Sequence, residues 1–153
     1  MPQGTMLEGK VVVVTGAGGG IGRDIALQCA AQGARVVVND IGASVSGEGG
    51  DAGPAQKVVA EIQAAGGEAV ANTDSVSEVA AAGRIIQTAL DTWGRIDGVV
   101  NNAGILRDRF FHKMSVDEFD AVIKVHLYGA YYVSRAAANH FKEQGSGAYV
   151  HMT

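Results

Sequence analysis

An α/β fold built on a doubly wound parallel sheet is predicted by three features of this 153-residue chain. Strand-like and helix-like segments alternate from end to end, the pattern of parallel strands joined by helical crossovers. The run Val11-Val12-Val13-Val14 has no polar face, as expected for a strand covered on both sides. Directly after it, Thr15-Gly16-Ala17-Gly18-Gly19-Gly20-Ile21-Gly22 forms a glycine turn that opens into a helix. The composition agrees: 47% hydrophobic and 18% charged residues with 22 glycines suit one loop-rich domain over residues 1–153.

Taken in order, the elements follow from spacing and punctuation. Past the turn, Ile21, Ile25 and Cys29 recur every fourth residue, with Arg23, Asp24, Gln28 and Gln32 between them. This predicts an amphipathic helix with that row buried, and makes Cys29 a core thiol rather than a nucleophile. Gly33 closes the helix, and Arg35-Val36-Val37-Val38-Asn39-Asp40 supplies a second strand ending in a carboxylate. Residues 41–53, rich in Gly, Ser and Ala, read as a long surface loop, either a connector or part of the rim of a site. Pro54 suits the first turn of the next helix, whose apolar side is Val58, Val59 and Ile62 and which ends near Ala65.

Glu68-Ala69-Val70-Ala71-Asn72 is a short third strand. Either Ser75, in a capping box with Glu78, or Ser77 caps the helix that follows. Its apolar row is Val79, Ala82, Ile86, Ala89 and Trp93, and Gly94 stops it. A fourth strand covers residues 99–102. The loop over 105–114 carries Arg107-Asp108-Arg109, either a solvated cluster or a part of subunit contact or substrate entry. Ser115-x-x-Glu118 is a capping box for a long helix reaching about Gln144, with Phe119, Ile123, Leu127, Ala130 and Tyr131 as the row expected on the sheet. After Gly145-Ser146-Gly147, Ala148-Tyr149-Val150-His151-Met152 begins a fifth strand.

Strand, glycine turn, helix, strand and acid together form the βαβ unit that binds a dinucleotide. A pyrophosphate needs backbone N–H groups, which a helix N-terminus offers with partial positive charge. Asp40 follows Gly22 by 18 residues, near the spacing at which an acid accepts hydrogen bonds from ribose hydroxyls. A 2′-phosphate would face that carboxylate, and Gly19 stands where a basic residue could have met it. NAD rather than NADP is the expected cofactor.

The spacing Gly16-x-x-x-Gly20-x-Gly22 after a buried strand resembles the short-chain dehydrogenase/reductase family, and later motifs agree. Asn101-Asn102-Ala103-Gly104 after Val99-Val100 is similar to that family's Asn-Asn-Ala-Gly signature, and Asp74-Ser75-Val76 falls where the family places an acid against adenine. Val38-Asn39-Asp40-Ile41-Gly42, Leu106-Arg107-Asp108-Arg109 and Val125-His126-Leu127 resemble the (3R)-hydroxyacyl-CoA dehydrogenase branch of multifunctional β-oxidation enzymes and its single-domain bacterial relatives. The resemblance implies a Rossmann-type sheet of strand order 3-2-1-4-5, truncated here after strand 5. It implies NAD binding by Gly16, Gly18, Gly20, Ile21, Gly22, Asp40, Asp74, Ser75, Val76, Asn102, Ala103 and Gly104. It also implies hydride transfer between NAD and a secondary alcohol or ketone, with a 3-hydroxyacyl-CoA thioester as the small-molecule substrate.

The same family uses a Tyr-x-x-x-Lys pair and a Ser just after strand five. Here Tyr128 leads to Tyr132, Tyr131 to Arg135, Tyr132 to Ala136 and Tyr149 to Thr153. No such pair is present, so no catalytic residue is assigned, and the chain alone is expected to be inactive. The alternative is a non-catalytic nucleotide-binding fragment. The family's helix Asn is replaced by His126, for which ordinary hydrogen bonds are the expected role.

Net charge of −4 without a Lys/Arg cluster argues against a nucleic-acid or anionic-membrane surface. No apolar run approaches the roughly 18 residues of a membrane span, and no signal peptide is visible. One cysteine suits a reducing, cytoplasmic setting; a C-terminal peroxisomal address would not be visible in these residues. His112, His140 and His151 lack ligand spacing, so no metal site is expected. The resemblance further implies that the full-length parent is a homo-oligomer through the long helix and the helix after strand five. With that second helix missing and strand five an open edge, the isolated chain is expected to aggregate or be marginally stable.

Overall fold

The computed structural model describes residues 4–42 and 53–153. Its sheet has five parallel strands in the order β3-β2-β1-β4-β5, as the family resemblance implies. The strands are β1 Val11–Thr15, β2 Arg35–Asn39, β3 Glu68–Asn72, β4 Gly98–Asn101 and β5 Ala148–His151. The helices are α1 Gly20–Ala31, α2 Pro54–Ala64, α3 Val79–Trp93, α4 Val116–Ile123 and α5 Gly129–Gln144. The fourth strand starts and ends one residue earlier than expected, which puts Asn102 just beyond its end. Most of the loop read over 41–53 lies outside the described residues.

The chain runs outward from β1 through β2 to β3, then returns to lay β4 on the other side of β1. The strand order therefore switches between β1 and β4, where loops diverge and leave a crevice at the strands' carboxyl ends. Val13↔Val37 and Val13↔Val99 set the register across the centre. Val11, Val13, Val37 and Val99 face α3 and α5, packing with Ile85, Ile86, Ala89, Val133 and Ala137. Val12, Val14, Val36 and Val38 face the opposite layer, with Ala26, Val58 and Ile62. β1 is buried on both faces, which is why its sequence has no polar side.

Three expected rows are corrected. On α1 the buried residues are Gly22 and Ala26; Ile25 and Cys29 are half-buried, and Ile21 is 64% exposed. Burial pushes the Cys29 thiol up, as expected for an unreactive sulfur. On α3, Val79 is 67% exposed and Ile85 is buried, and neither Ser75 nor Ser77 caps the helix. Ser75 Oγ instead accepts from Ser77 N.

The third correction concerns the long helix. Ser115 and Glu118 do form the capping box, and Gly145 ends the helix in the left-handed region. Between α4 and α5, however, residues Lys124–Tyr128 wind as a π-helix. Phe119, Leu127 and Tyr131 face outward, 54%, 61% and 60% exposed. Gly129, Val133, Ala137 and Phe141 pack inward instead. The wider turn changes the rotation per residue, so a row of fixed spacing cannot stay on one face.

Candidate functional site

The site is built where β1, β2, β3 and β4 end. Thr15, the last residue of β1, is 1% exposed, and its hydroxyl has three partners. Oγ1 donates to Val100 O at 3.3 Å and accepts from Asn102 N and Ala103 N, each at 3.1 Å. A hydroxyl has one proton and two lone pairs, so its capacity is filled. The Asn102 amide answers from the other side, donating to Thr15 O and Gly16 O at 3.1 Å. These bonds join the glycine turn to the loop after β4.

The turn is shaped by close backbone approach. Gly16 has φ +63°, and a Cβ there would stand 2.8 Å from Ala103 Cα. A Cβ on Gly22 would overlap Gly16 O and the Asn102 amide. Gly18 is confined by Pro54 and Asp40, whereas Gly19 has nothing within 4 Å. A side chain at Gly19 would meet no obstacle, so the lack of a basic residue there is a matter of sequence and not of space. α1 has no side-chain cap, which leaves its first-turn N–H groups without a side-chain acceptor.

Asp40 stands just past β2. Its Oδ2 accepts from Gly18 N and its Oδ1 from Gly42 N, both at 2.9 Å. Each carboxylate oxygen retains a lone pair for a further donor. Beside it, Asn39 Nδ2 donates to Asn72 Oδ1 and Asp74 O at 2.9 Å, tying the ends of β2 and β3. Burial alone would raise the Asp74 carboxyl; hydrogen bonds from Arg84 and Asn72 and the Arg84 charge outweigh it and hold the group below its ordinary range.

The structure thus brings Gly16, Gly18, Gly20, Ile21, Gly22, Asp40, Asp74, Asn102, Ala103 and Gly104 to one end of the sheet. Val76 turns inward and is 8% exposed, lining a cavity of about 270 Å³ with Thr15, Asn101, Ala103, His126 and His151. Ser75 is held by Ser77. His126 sits in the π-helical turn, with Nε2 3.0 Å from Ile105 N and 2.9 Å from Ile105 O. Nε2 makes one of these bonds at a time, accepting from the N–H or donating to the carbonyl as its tautomer sets, which is an ordinary backbone hydrogen bond as expected of it. Tyr131 and Arg135 lie within α5 rather than at a strand end. Three positioning residues are missed by sequence reading: Thr15, Asn39 and Asn72. Only their place at strand termini, where a polar side chain interrupts an apolar run, could have drawn attention to them.

The bare turn, the uncapped helix and the acid after β2 fit a dinucleotide: they offer close backbone approach, N–H donors for a pyrophosphate and acceptors for ribose hydroxyls. Among the described residues there is no cluster of metal-ligating side chains, and no helix is long and apolar enough to cross a membrane.

Comparison with known proteins places this geometry. The chain is 54% identical to peroxisomal multifunctional enzyme type 2 of Mus musculus over 92% of its length, which is 19% of that enzyme. It is 44% identical to the hydroxyacyl-CoA dehydrogenase ChsB1 of Mycobacterium tuberculosis, over 94% of this chain and 44% of that one. A crystal structure of a short chain dehydrogenase from Mycobacterium avium superposes with a TM-score of 0.85 at 51% identity, covering 94% of this chain and 53% of the other. The chain spans about half the length, or less, of the curated relatives it matches. The profile described as short chain dehydrogenase matches residues 10–153, from the start of the first strand through the crevice to the fifth strand. With sheet order, glycine turn and Asn-Ala-Gly loop all in agreement, the chain belongs to the short-chain dehydrogenase family.

Proposed function

We propose that residues 1–153 form the NAD-binding part of an oxidoreductase that moves a hydride between a secondary alcohol or ketone and NAD. The cofactor, when bound, supplies the hydride acceptor. The chain's own residues do the binding. First-turn N–H groups of α1 receive the pyrophosphate, Asp40 accepts from ribose hydroxyls, Asp74 meets the base, and Asn102, Ala103 and Gly104 border the nicotinamide side. The observation that carries NAD over NADP is Asp40 bonded to Gly18 N, which fixes a carboxylate beside the turn. A 2′-phosphate placed there would be repelled by it.

A 3-hydroxyacyl-CoA thioester is the proposed substrate of the whole protein, supported by the branch motifs and by the likeness to a hydroxyacyl-CoA dehydrogenase. The whole protein is further proposed to act as a homo-oligomer. A second reading, a nucleotide-binding fragment without catalysis, is favoured for this stretch because no Tyr-x-x-x-Lys occurs in it. Fluorescence titration of the chain with NADH and NADPH tests the first reading. Binding with NADH preferred supports it, and equal affinity removes the role given to Asp40. Turnover of any secondary alcohol by this chain would remove the second reading.

A further inference from the structure

Asp74 is gripped from opposite sides. Both Arg84 nitrogens reach the same oxygen: Nε stands 2.7 Å and Nη2 2.6 Å from Asp74 Oδ1. The other oxygen, Oδ2, accepts from Asn72 Nδ2 at 2.9 Å. Counting lone pairs, Oδ1 is full and Oδ2 keeps one free. The grip is itself braced. Asn72 Nδ2 also donates to Thr88 Oγ1 on α3, Thr88 donates to Arg84 O, and Asn39 holds Asp74 O.

Arg84 is 60% exposed on its side chain and Asp74 23%. An exposed pair of this kind contributes little to stability, so the directional effect on the carboxylate is the larger consequence. We propose that Arg84 is a positioning residue for the nucleotide base: it fixes the Asp74 carboxylate so that the one open lone pair on Oδ2 meets an amino group, which makes the site select a 6-amino purine over a 6-oxo purine. The inference rests on the nucleotide reading above and adds to it a residue that would not touch the cofactor. A 6-amino group donates to that lone pair. A 6-oxo group presents its own lone pairs and is repelled, provided the carboxylate cannot turn away.

The test uses the 153-residue chain and two fluorescent probes, NADH and its reduced hypoxanthine counterpart. The unaltered chain is expected to prefer NADH about tenfold, the worth of one charge-assisted hydrogen bond. Arg84→Gln is expected to reduce that ratio to about twofold, and Arg84→Lys, which keeps the charge but not the two-nitrogen grip, to give an intermediate ratio. Asp74→Asn should collapse the ratio alone, and adding Arg84→Gln to it should change nothing more, because Arg84 acts through Asp74. A merely structural Arg84 would weaken both probes equally. An unchanged ratio in Arg84→Gln, or an equal further loss in the double variant, overturns the role of Arg84 while nucleotide binding stands. Binding of neither probe by the unaltered chain overturns the nucleotide reading, and the inference with it.

Discussion

The Gly18 amide donates to the Asp40 carboxylate at 2.9 Å, so the acid at the end of β2 holds the glycine turn that follows β1. Under the proposed function this one side chain has two tasks, shaping the turn and discriminating at the ribose. Asp40→Ala is expected to lower NADH affinity about tenfold through lost hydrogen bonds to a charged acceptor. NADPH should lose less, because the repulsion of its phosphate disappears with the carboxylate. Paired titrations with the two reduced cofactors check this, and an equal loss for both would reject the selective role.

Gly19 and Gly22 offer a contrast within a single turn. A Cβ on Gly22 would overlap backbone and the Asn102 amide, which cannot withdraw without releasing Thr15 O and Gly16 O. Gly22→Ala is expected to cost about 1–3 kcal/mol, the range of an overpacked site, and to remove cofactor binding. Gly19→Ala meets nothing within 4 Å at an extended backbone, and should cost no more than about 1 kcal/mol as a poorer helix cap. Urea unfolding of the two variants, read against the unaltered chain, separates them.

Thr15→Val keeps the shape of the side chain and removes its hydroxyl. The Asn102 and Ala103 N–H groups then lose their acceptor in a partly buried site. A fully buried donor left unpaired costs about 1–3 kcal/mol, so these partly buried ones should together cost about that much, and Thr15→Ser should recover most of it. Equal stability of the Val and Ser variants in urea would show that the hydroxyl does not hold the crevice together.

Much of this site is legible in the sequence because its demands are local. The glycines, Asp40 and the loop from Asn102 to Gly104 are set by spacing along one βαβ unit or at one strand end. Thr15 and Asn39 are hidden because their partners lie at or just past the ends of other strands, 33 to 88 residues away, and Asn72 because it answers Asn39 across the sheet and Thr88 on α3. Ile21 misleads for a related reason. Its apolar side chain fits a helical row, yet it stands on the first turn at the open crevice. The row through Phe119, Leu127 and Tyr131 misleads because a π-helical turn has no clear signature in hydrophobic spacing.

Acid should loosen the start of the sheet. Burial alone would raise the Asp97 carboxyl; hydrogen bonds from Arg95 and Val11 N, and the charges of Arg95 and Lys10, outweigh it and hold it below its ordinary value. A carboxyl depressed in the folded state adds stability above its unfolded pKa of about 4, and that contribution is lost as pH falls through the folded value. Asp97→Asn is therefore expected to flatten the loss of stability below about pH 4, while lowering stability at neutral pH. Urea midpoints measured across the acid range check both parts. A parallel shift at every pH would show that Asp97 acts without regard to its charge.

The outward row of the long helix should drive self-association. Phe119, Leu127 and Tyr131 are all exposed along the long helix, and among the described residues β5 pairs only with β4, leaving its other edge open. Large apolar side chains exposed along one helix mark either an interface or an aggregation hazard, and the open strand edge adds unpaired backbone. Leu127→Glu places a charge on the row without touching the inward residues Gly129, Val133 and Ala137. The unaltered chain is expected to sediment as larger species as its concentration rises, and Leu127→Glu to remain smaller with the same far-UV circular dichroism. If both sediment alike and as monomers, the row is no interface in this chain, and its apolar residues are tolerated singly. If both aggregate alike, Leu127 is not responsible, and the cause lies in surface common to the two proteins, the strand edge included.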